Sequence, residues 1–306
     1  MVTPSRRPSP QRTSFPLEEL SLTQPDGTEL RLACKRLSWS ALDDEARLAK
    51  PKFLHDPGRE PAVYAHVLPH APPGPPCCHG SFTDPEGGGP RLLVEWVEGR
   101  ELYQVGEREH WEAAASWLGR MHLALAADLD RHAGRGRLLE YDANHYRLWL
   151  QRAGEFARAP GQPRSRAVAV ERIARRYEDA IEELLALPRT VIHGEFYASN
   201  VLVAGEPGAP RIAPVDWELA AVAPGVVDLA ALTSGSGWSD GDRRAIVAAY
   251  RSMIPSGAPS ARDLDLARLH LAVQWLGWAP PSWEPPADQR QDWQGEALGL
   301  VEELGL

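Results

Sequence analysis

Cysteine is scarce in this chain: only Cys34, Cys77 and Cys78 occur among 306 residues. Three thiols build no disulfide framework, which points to a reducing, cytoplasmic setting. Cys77-Cys78-His79 does not read as a metal site, because adjacent cysteines lack a matching second pair. Long apolar runs are missing as well. None reaches the roughly 18 residues that span a bilayer, so no membrane partner is expected. The opening "MVTPSRRPSPQRTSFP" has basic residues but no apolar stretch of the kind a secretory signal carries. Its Ser/Pro/Arg bias reads residues 1–16 as a mobile tail. Positive charge is the last shortage: 33 Lys and Arg face 42 Asp and Glu, a net charge of -9. That balance argues against a nucleic-acid partner, whose phosphates need concentrated Lys and Arg. It suits a cationic substrate.

What is present is ordinary for a soluble globular protein, with 43% hydrophobic and 25% charged residues. "LEELSLTQPDGTELRLACKRLS" alternates apolar and polar residues around Pro25-Asp26-Gly27, the pattern of a hairpin. "DPGREPAVYAHVL", residues 56–68, predicts a helix with Pro61 in its first turn. "RLLVEWVEG", residues 91–99, predicts a buried strand. Beyond about Glu107 helical periodicity dominates, in "REHWEAAASWLGRMHLALA", "ANHYRLWLQRAGEFA" and "VERIARRYEDAIEELLAL". Residues 17–99 therefore read as a sheet-bearing unit with one helix, and 100–306 as a larger, mainly helical one.

The chemistry concentrates in "VIHGEFYASNVLV", residues 191–203, and "RIAPVDWELA", residues 211–220. Two apolar runs separated by a Pro207-Gly208 turn predict a second hairpin. Its geometry brings Glu195, Asn200 and Asp216 close together. Two carboxylates and a carboxamide make a hard-oxygen site, which suits Mg²⁺ with substrate phosphates and water completing the shell. The spare carboxylate could orient or deprotonate a hydroxyl. His193-Gly194-Glu195 also fits the His-x-Glu of zinc deaminases, but no Pro-Cys-x-x-Cys follows.

These stretches resemble the aminoglycoside phosphotransferase and choline kinase family, a branch of the protein-kinase-like fold. That family carries His-Gly-Asp, four residues, then Asn, followed by a strand with Ile-Asp-Trp-Glu. Here stand "HGEFYASN" and "PVDWE", supported by "DLA" at Asp228, "LGRMH" at 118–122 and "LLVEWVEG". The resemblance implies a two-lobed α+β fold: a small N-terminal nucleotide-binding lobe with a sheet, and a larger, mainly helical lobe for catalysis and acceptor binding. It implies Mg²⁺-dependent transfer of the γ-phosphoryl group of ATP or GTP to a hydroxyl of a small molecule, such as an aminoglycoside-like or other natural-product acceptor. Asn200 and Asp216 would hold Mg²⁺. Lys35 would contact the α- and β-phosphates, paired with Glu60. Backbone groups around Glu95 and Val97 would meet the adenine. Glu195 stands at the catalytic acid. Such enzymes work by positioning and charge neutralisation, with little covalent chemistry left to the protein.

Two departures keep other readings open. Glu195 carries one methylene more than the family's Asp, and a misplacement of about 1 Å can cost on the order of 100-fold in rate. The glycine-rich phosphate cover has no counterpart before Leu17, and Gly27 is explained by its turn. The alternatives are a pseudokinase or nucleotide-binding interaction module without turnover, and a kinase acting on a peptide or biosynthetic intermediate. Asp228 reads as a helix cap that also bonds the catalytic loop, and His193 and His122 as packing residues. Trp275, Trp278, Trp283 and Trp293 cluster near the C-terminus. Some pack helices, and one or two could hold a cationic or ring-shaped acceptor.

Overall fold

The alternating pattern of the first hundred residues becomes a five-stranded antiparallel sheet in the computed structural model, which describes residues 5–9, 14–85, 88–206, 208–235, 238–283 and 291–306. Its strands are β1 (Ser5–Pro8), β2 (Leu17–Thr23), β3 (Glu29–Arg36), β4 (Cys78–Asp84) and β5 (Gly89–Glu95), in the order β1-β2-β3-β5-β4. Leu17 pairs with Lys35 and Lys35 with Leu92, so the lysine sits in a central strand. The mobile-tail expectation is corrected for residues 5–8. They form an edge strand on β2, with Arg6 paired to Glu18 and Arg7 to Glu19. Such pairing depends on partners across the sheet, which composition does not reveal. Residues 1–4 and 10–13 of that tail lie outside the described residues, as does Pro207 of the second turn.

Two helices, rather than the one expected, lie between β3 and β4. The first, α1 (Asp44–Ala49), starts at Asp43, whose carboxylate accepts from the Ala46 N–H. Pro51 follows and cannot continue the helix. This short helix ends on Lys50, which is buried. The second, α2 (Arg59–His66), has Pro61 in its first turn, where a missing N–H costs nothing. Glu60 in the same turn is buried against the sheet.

After the sheet the chain runs through β6 (Gly99–Glu101), α3 (Leu102–Val105), α4 (Arg108–Ala126), α5 (Leu129–Gly136), β7 (Leu139–Glu140), α6 (Ala143–Ala157) and α7 (Arg164–Ala186). Then come β8 (Arg189–Ile192), β9 (Val201–Ala204), β10 (Arg211–Pro214), β11 (Ala221–Pro224), α8 (Val226–Leu232), α9 (Asp240–Arg251), α10 (Ala261–Leu276) and α11 (Trp293–Glu303). In α4 the residues Trp111, Leu118, Met121 and Leu125 share a buried stripe. Each large apolar side chain so buried contributes about 1.5–3 kcal/mol relative to exposure. Two small sheets carry the loops of interest. In one, β9 pairs with β10 and β6; in the other, β11 pairs with β8 and β7. Among the described residues, no helix is long and apolar enough to cross a membrane.

Candidate active site

The loop between β8 and β9 is held from beneath. His193 is buried, and burial lowers its pKa below the usual imidazole range, leaving a neutral ring. Its Nε2 lies 2.8 Å from the Val215 carbonyl and its Nδ1 3.2 Å from the Glu195 N–H. Those partners assign the proton to Nε2. Asp228, with 0% of its surface exposed, accepts from the His193 N–H at 2.7 Å and the Gly194 N–H at 3.0 Å, and meets His122 Nε2 at 3.2 Å. Thus Asp228 braces the loop as expected but caps no helix with its side chain. Gly194 is required here: its φ is +86°, and a Cβ would lie 2.3 Å from the Leu219 carbonyl oxygen.

Past Gly194 the chain curls so that Glu195 and Asn200 stand together. The Glu195 carbonyl accepts from the Tyr197 N–H at 2.7 Å and from Asn200 Nδ2 at 2.9 Å. Hairpin pairing then sets Asn200 beside Asp216: Val201 faces Pro214, and the Val215 N–H donates to the Asn200 carbonyl at 2.9 Å. Asp216 adopts a left-handed backbone, φ +66° and ψ +62°. A non-glycine residue there is uncommon and costs energy that the surroundings must offset.

Lys35 joins the two halves of the molecule at this point. It is 8% exposed, and its Nζ lies 2.7 Å from Glu60 Oε2 and 2.5 Å from Asp216 Oδ1. Glu60 Oε1 also accepts from the Trp217 N–H at 3.3 Å. Burial works against the Lys35 charge, but Asp216, Glu60 and Glu218 outweigh it and raise its pKa well above the usual value. Burial likewise opposes the Asp216 charge, and Lys35 and Lys50 overcome it, holding that carboxyl below its usual range.

Around Glu195 a second group of charges gathers. Lys50, from the end of α1, donates to Glu218 Oε1, two residues beyond Asp216. Lys50 carried no signal in the sequence, where a lysine closing a short polar helix reads as solvent-exposed. Burial pushes Glu195 up to about 8, opposed chiefly by Lys50 and aided by Glu218 and Asp216. Phe15, only 1% exposed, lies over both ammonium groups, 5.7 Å from Lys35 Nζ and 5.0 Å from Lys50 Nζ. It also stacks on His55.

Glu95 and Val97 stand where the first sheet meets β9 and β10. The Glu95 N–H is taken by the Cys77 carbonyl at 2.8 Å and the Trp96 N–H by the Arg31 carbonyl at 3.1 Å. The Glu95 carboxylate is gripped by Arg211 Nη1 and Nη2 at 2.6 and 2.8 Å, which drops its pKa below the usual range. This bidentate pair ties β5 to β10. Val97 packs with Leu202 and Ala213 in a small apolar cluster that Ala204 and Val215 extend. Ala33 lies two residues before Lys35 on the same strand, and therefore on the same face. Beyond Glu195, Trp275 Nε1 donates to the Tyr197 hydroxyl at 2.8 Å. Trp275 stacks on Trp293, and Trp278 stacks on Trp149. The Arg152 guanidinium lies over Phe53, Trp149 and Phe156 at the far end of this wall.

Four carboxylates, those of Glu60, Glu195, Asp216 and Glu218, thus share two ammonium groups, those of Lys35 and Lys50. Burial holds Glu195 protonated up to about 8, so the firmest negative charge beside Asn200 is that of Asp216. Among the described residues no three His, Cys, Asp or Glu side chains converge into a closed metal cage. The donor set of one amide and flanking carboxylates instead matches Mg²⁺, which keeps water and phosphate oxygens in its shell.

Known proteins share this fold. The fold matches the GDP complex of wild-type aminoglycoside 2'-phosphotransferase-IIIa at a TM-score of 0.62 and 15% identity, covering 99% of this chain and 92% of that one. It matches a microcompartment-associated aminopropanol kinase at a TM-score of 0.62 and 16% identity, covering 98% and 90%. It matches the choline kinase LicA from Streptococcus pneumoniae at a TM-score of 0.60 and 13% identity, covering 98% and 93%. No curated protein matches the sequence. Residues 41–264 match the APH phosphotransferase enzyme family over most of the chain, and the two-lobed, protein-kinase-like α+β protein belongs to that family.

Proposed function

We propose that the protein transfers the γ-phosphoryl group of a Mg²⁺-bound purine nucleoside triphosphate to a hydroxyl of a small-molecule acceptor. One observation carries this reading: Lys35 Nζ bridges Glu60 and the left-handed Asp216, beside Asn200. Structural neighbours with GDP or AMP bound support a nucleotide ligand. Asn200 and Asp216 would hold Mg²⁺, with Glu218 near by. Bound there, the cation would neutralise phosphate charge. Lys35, oriented by Glu60, would engage the α- and β-phosphates. The buried Ala33 and the Val97–Leu202 cluster would line the purine. The Glu95 and Trp96 N–H groups are already bonded within the sheet, so the base would meet the backbone around Val97.

Glu195 takes the place of the acid that accepts or positions the acceptor's proton. Among the described residues no donor bonds its carboxylate, which leaves it free to take a hydroxyl. Its raised pKa puts the proton acceptor near working pH, as general-base chemistry favours. The Tyr197–Trp275 wall would flank the acceptor. Neighbours described with kanamycin, or as choline, ethanolamine and aminopropanol kinases, support a small hydroxyl-bearing acceptor. A cationic one has the acidic site in its favour, although Arg152 already occupies part of the aromatic wall.

The test is acceptor-stimulated release of ADP or GDP in a coupled assay, across pooled aminoglycosides and amino alcohols. Asp216→Ala should abolish it. Full activity in that variant would overturn the assignment. Nucleotide binding without turnover against every acceptor class, peptides included, would favour the pseudokinase alternative.

A further inference from the structure

Lys50 is a buried cation that the phosphotransfer reading leaves without a role. Its ammonium donates to Glu218, and both side chains are buried. Glu218 follows Asp216 by two residues in a tight turn, so Lys50 stands within the same charged cluster as Lys35. Phe15 fixes the relation more closely, because its single ring contacts both ammonium groups. The two lysines therefore face one compartment.

Their partners differ in a way that orders them along it. Lys35 is held by Glu60 on α2 and by Asp216. Lys50 is held by Glu218 and is the largest single charge acting on Glu195. We take Lys50, bonded to Glu218 and the stronger of the two cations acting on Glu195, as the one toward the acceptor hydroxyl, and Lys35, between Glu60 and Asp216, as the other. A polyphosphate laid from Lys35 toward Glu195 brings its terminal phosphate to Lys50. The sequence before Gly27 holds no glycine, the residue that lets a backbone curl its N–H groups round a terminal phosphate. A compact ammonium is a suitable replacement, since lysine binds phosphate as a point charge.

Resting on the phosphotransfer reading, we infer that Lys50 is a second phosphate-binding lysine, which takes the γ-phosphoryl group and stabilises it during transfer. Glu218 positions the ammonium until a nucleotide arrives. Lys35 serves the inner phosphates and Lys50 the outer one, so the two divide a task that a glycine-rich loop would otherwise share.

The experiment compares Mg²⁺ complexes of ADP and of a non-hydrolysable ATP analogue by calorimetry, or the guanine pair if GTP is preferred. Lys50→Met should weaken the triphosphate analogue at least tenfold and leave the diphosphate within about twofold. Lys35→Met should weaken both. Equal losses for the two ligands in Lys50→Met, or no loss for either, would overturn the inference while leaving the nucleotide site standing. Wild-type protein that binds neither ligand would instead overturn the phosphotransfer reading beneath it.

Lys50→Met strands the buried Glu218 carboxylate, so an unmutated protein supplies the second measurement. An acyl phosphate of the triphosphate carries a reactive carbonyl on its terminal phosphate. A lysine amine there attacks that carbonyl, an amide forms, and the nucleotide leaves as the carbonyl–oxygen bond breaks. Peptide mapping should find the amide on Lys50. With the acyl diphosphate it should shift to Lys35. Labelling of Lys35 by both reagents, with Lys50 untouched, would refute the assignment.

Discussion

Replacing Asp228 by Asn keeps the size of the side chain and removes its charge. The residue is fully buried and accepts from the N–H groups of His193 and Gly194 while facing His122. An amide keeps one acceptor oxygen and turns its NH₂ toward a second donor, so at least one backbone N–H is left facing a donor. A hydrogen bond to a charged group contributes about 1.5–3 kcal/mol, and a buried donor left unpaired costs about 1–3 kcal/mol. The variant should therefore lose roughly 3 kcal/mol of stability, a fall in Tm of roughly 5 °C for a chain of 306 residues. The catalytic loop would also drift, because Glu195 follows directly on Gly194. A displacement of about 1 Å lowers turnover on the order of 100-fold. Nucleotide KM should change little, since Lys35, Glu60 and Asp216 are held elsewhere. Thermal unfolding and steady-state kinetics read the two effects separately. A variant with unchanged Tm and unchanged kcat would refute the claim that Asp228 carries the loop.

Gly194→Ala should be at least as damaging, because it combines a left-handed φ with a Cβ only 2.3 Å from the Leu219 oxygen. A left-handed backbone alone costs about 1–2 kcal/mol for a residue with a side chain, and the clash adds to it; a urea midpoint equal to wild type would contradict this. Glu195 should impose a rising limb on kcat/KM. Its carboxyl is held protonated up to about 8, so the base form appears as pH climbs through that value, and Glu195→Gln should remove limb and activity together. Stability should run the opposite way. The unfolded carboxyl releases its proton near 4.5 and the folded one near 8, so stability conferred by the bound proton declines across that window and levels off above it. A stability profile identical in wild type and Glu195→Gln would show that the carboxyl is not perturbed.

How much of this was legible in the sequence depended on the range of the interaction. The periodicity of "REHWEAAASWLGRMHLALA" and "ANHYRLWLQRAGEFA" predicts α4 and α6 with their observed ends. The two apolar runs around Asn200 and Asp216 predict the β9–β10 hairpin, and that local pairing brings the backbones of those two residues side by side. Lys35 and Glu60 were legible through resemblance, and their contact forms as expected. What escaped was tertiary. Arg6 and Arg7 look like a disordered basic tail until Glu18 and Glu19 are found opposite them. Lys50 and Glu218 meet across 168 residues of sequence, and Arg211 and Glu95 across 116. Nothing in the local sequence of a lysine or arginine announces a partner more than a hundred residues away. Asp228 sits on an apolar helix, and only the fold shows which N–H groups it serves.

The central claim, a Mg²⁺-dependent nucleotide site built on Lys35, Asn200 and Asp216, is tested most directly by calorimetric titration. Mg·ATP and Mg·GTP are titrated into the purified protein, and each titration is repeated with the metal chelated. The account predicts saturable binding of at least one nucleotide that weakens tenfold or more without Mg²⁺. Binding of neither nucleotide, or equal affinity with and without the metal, would contradict it.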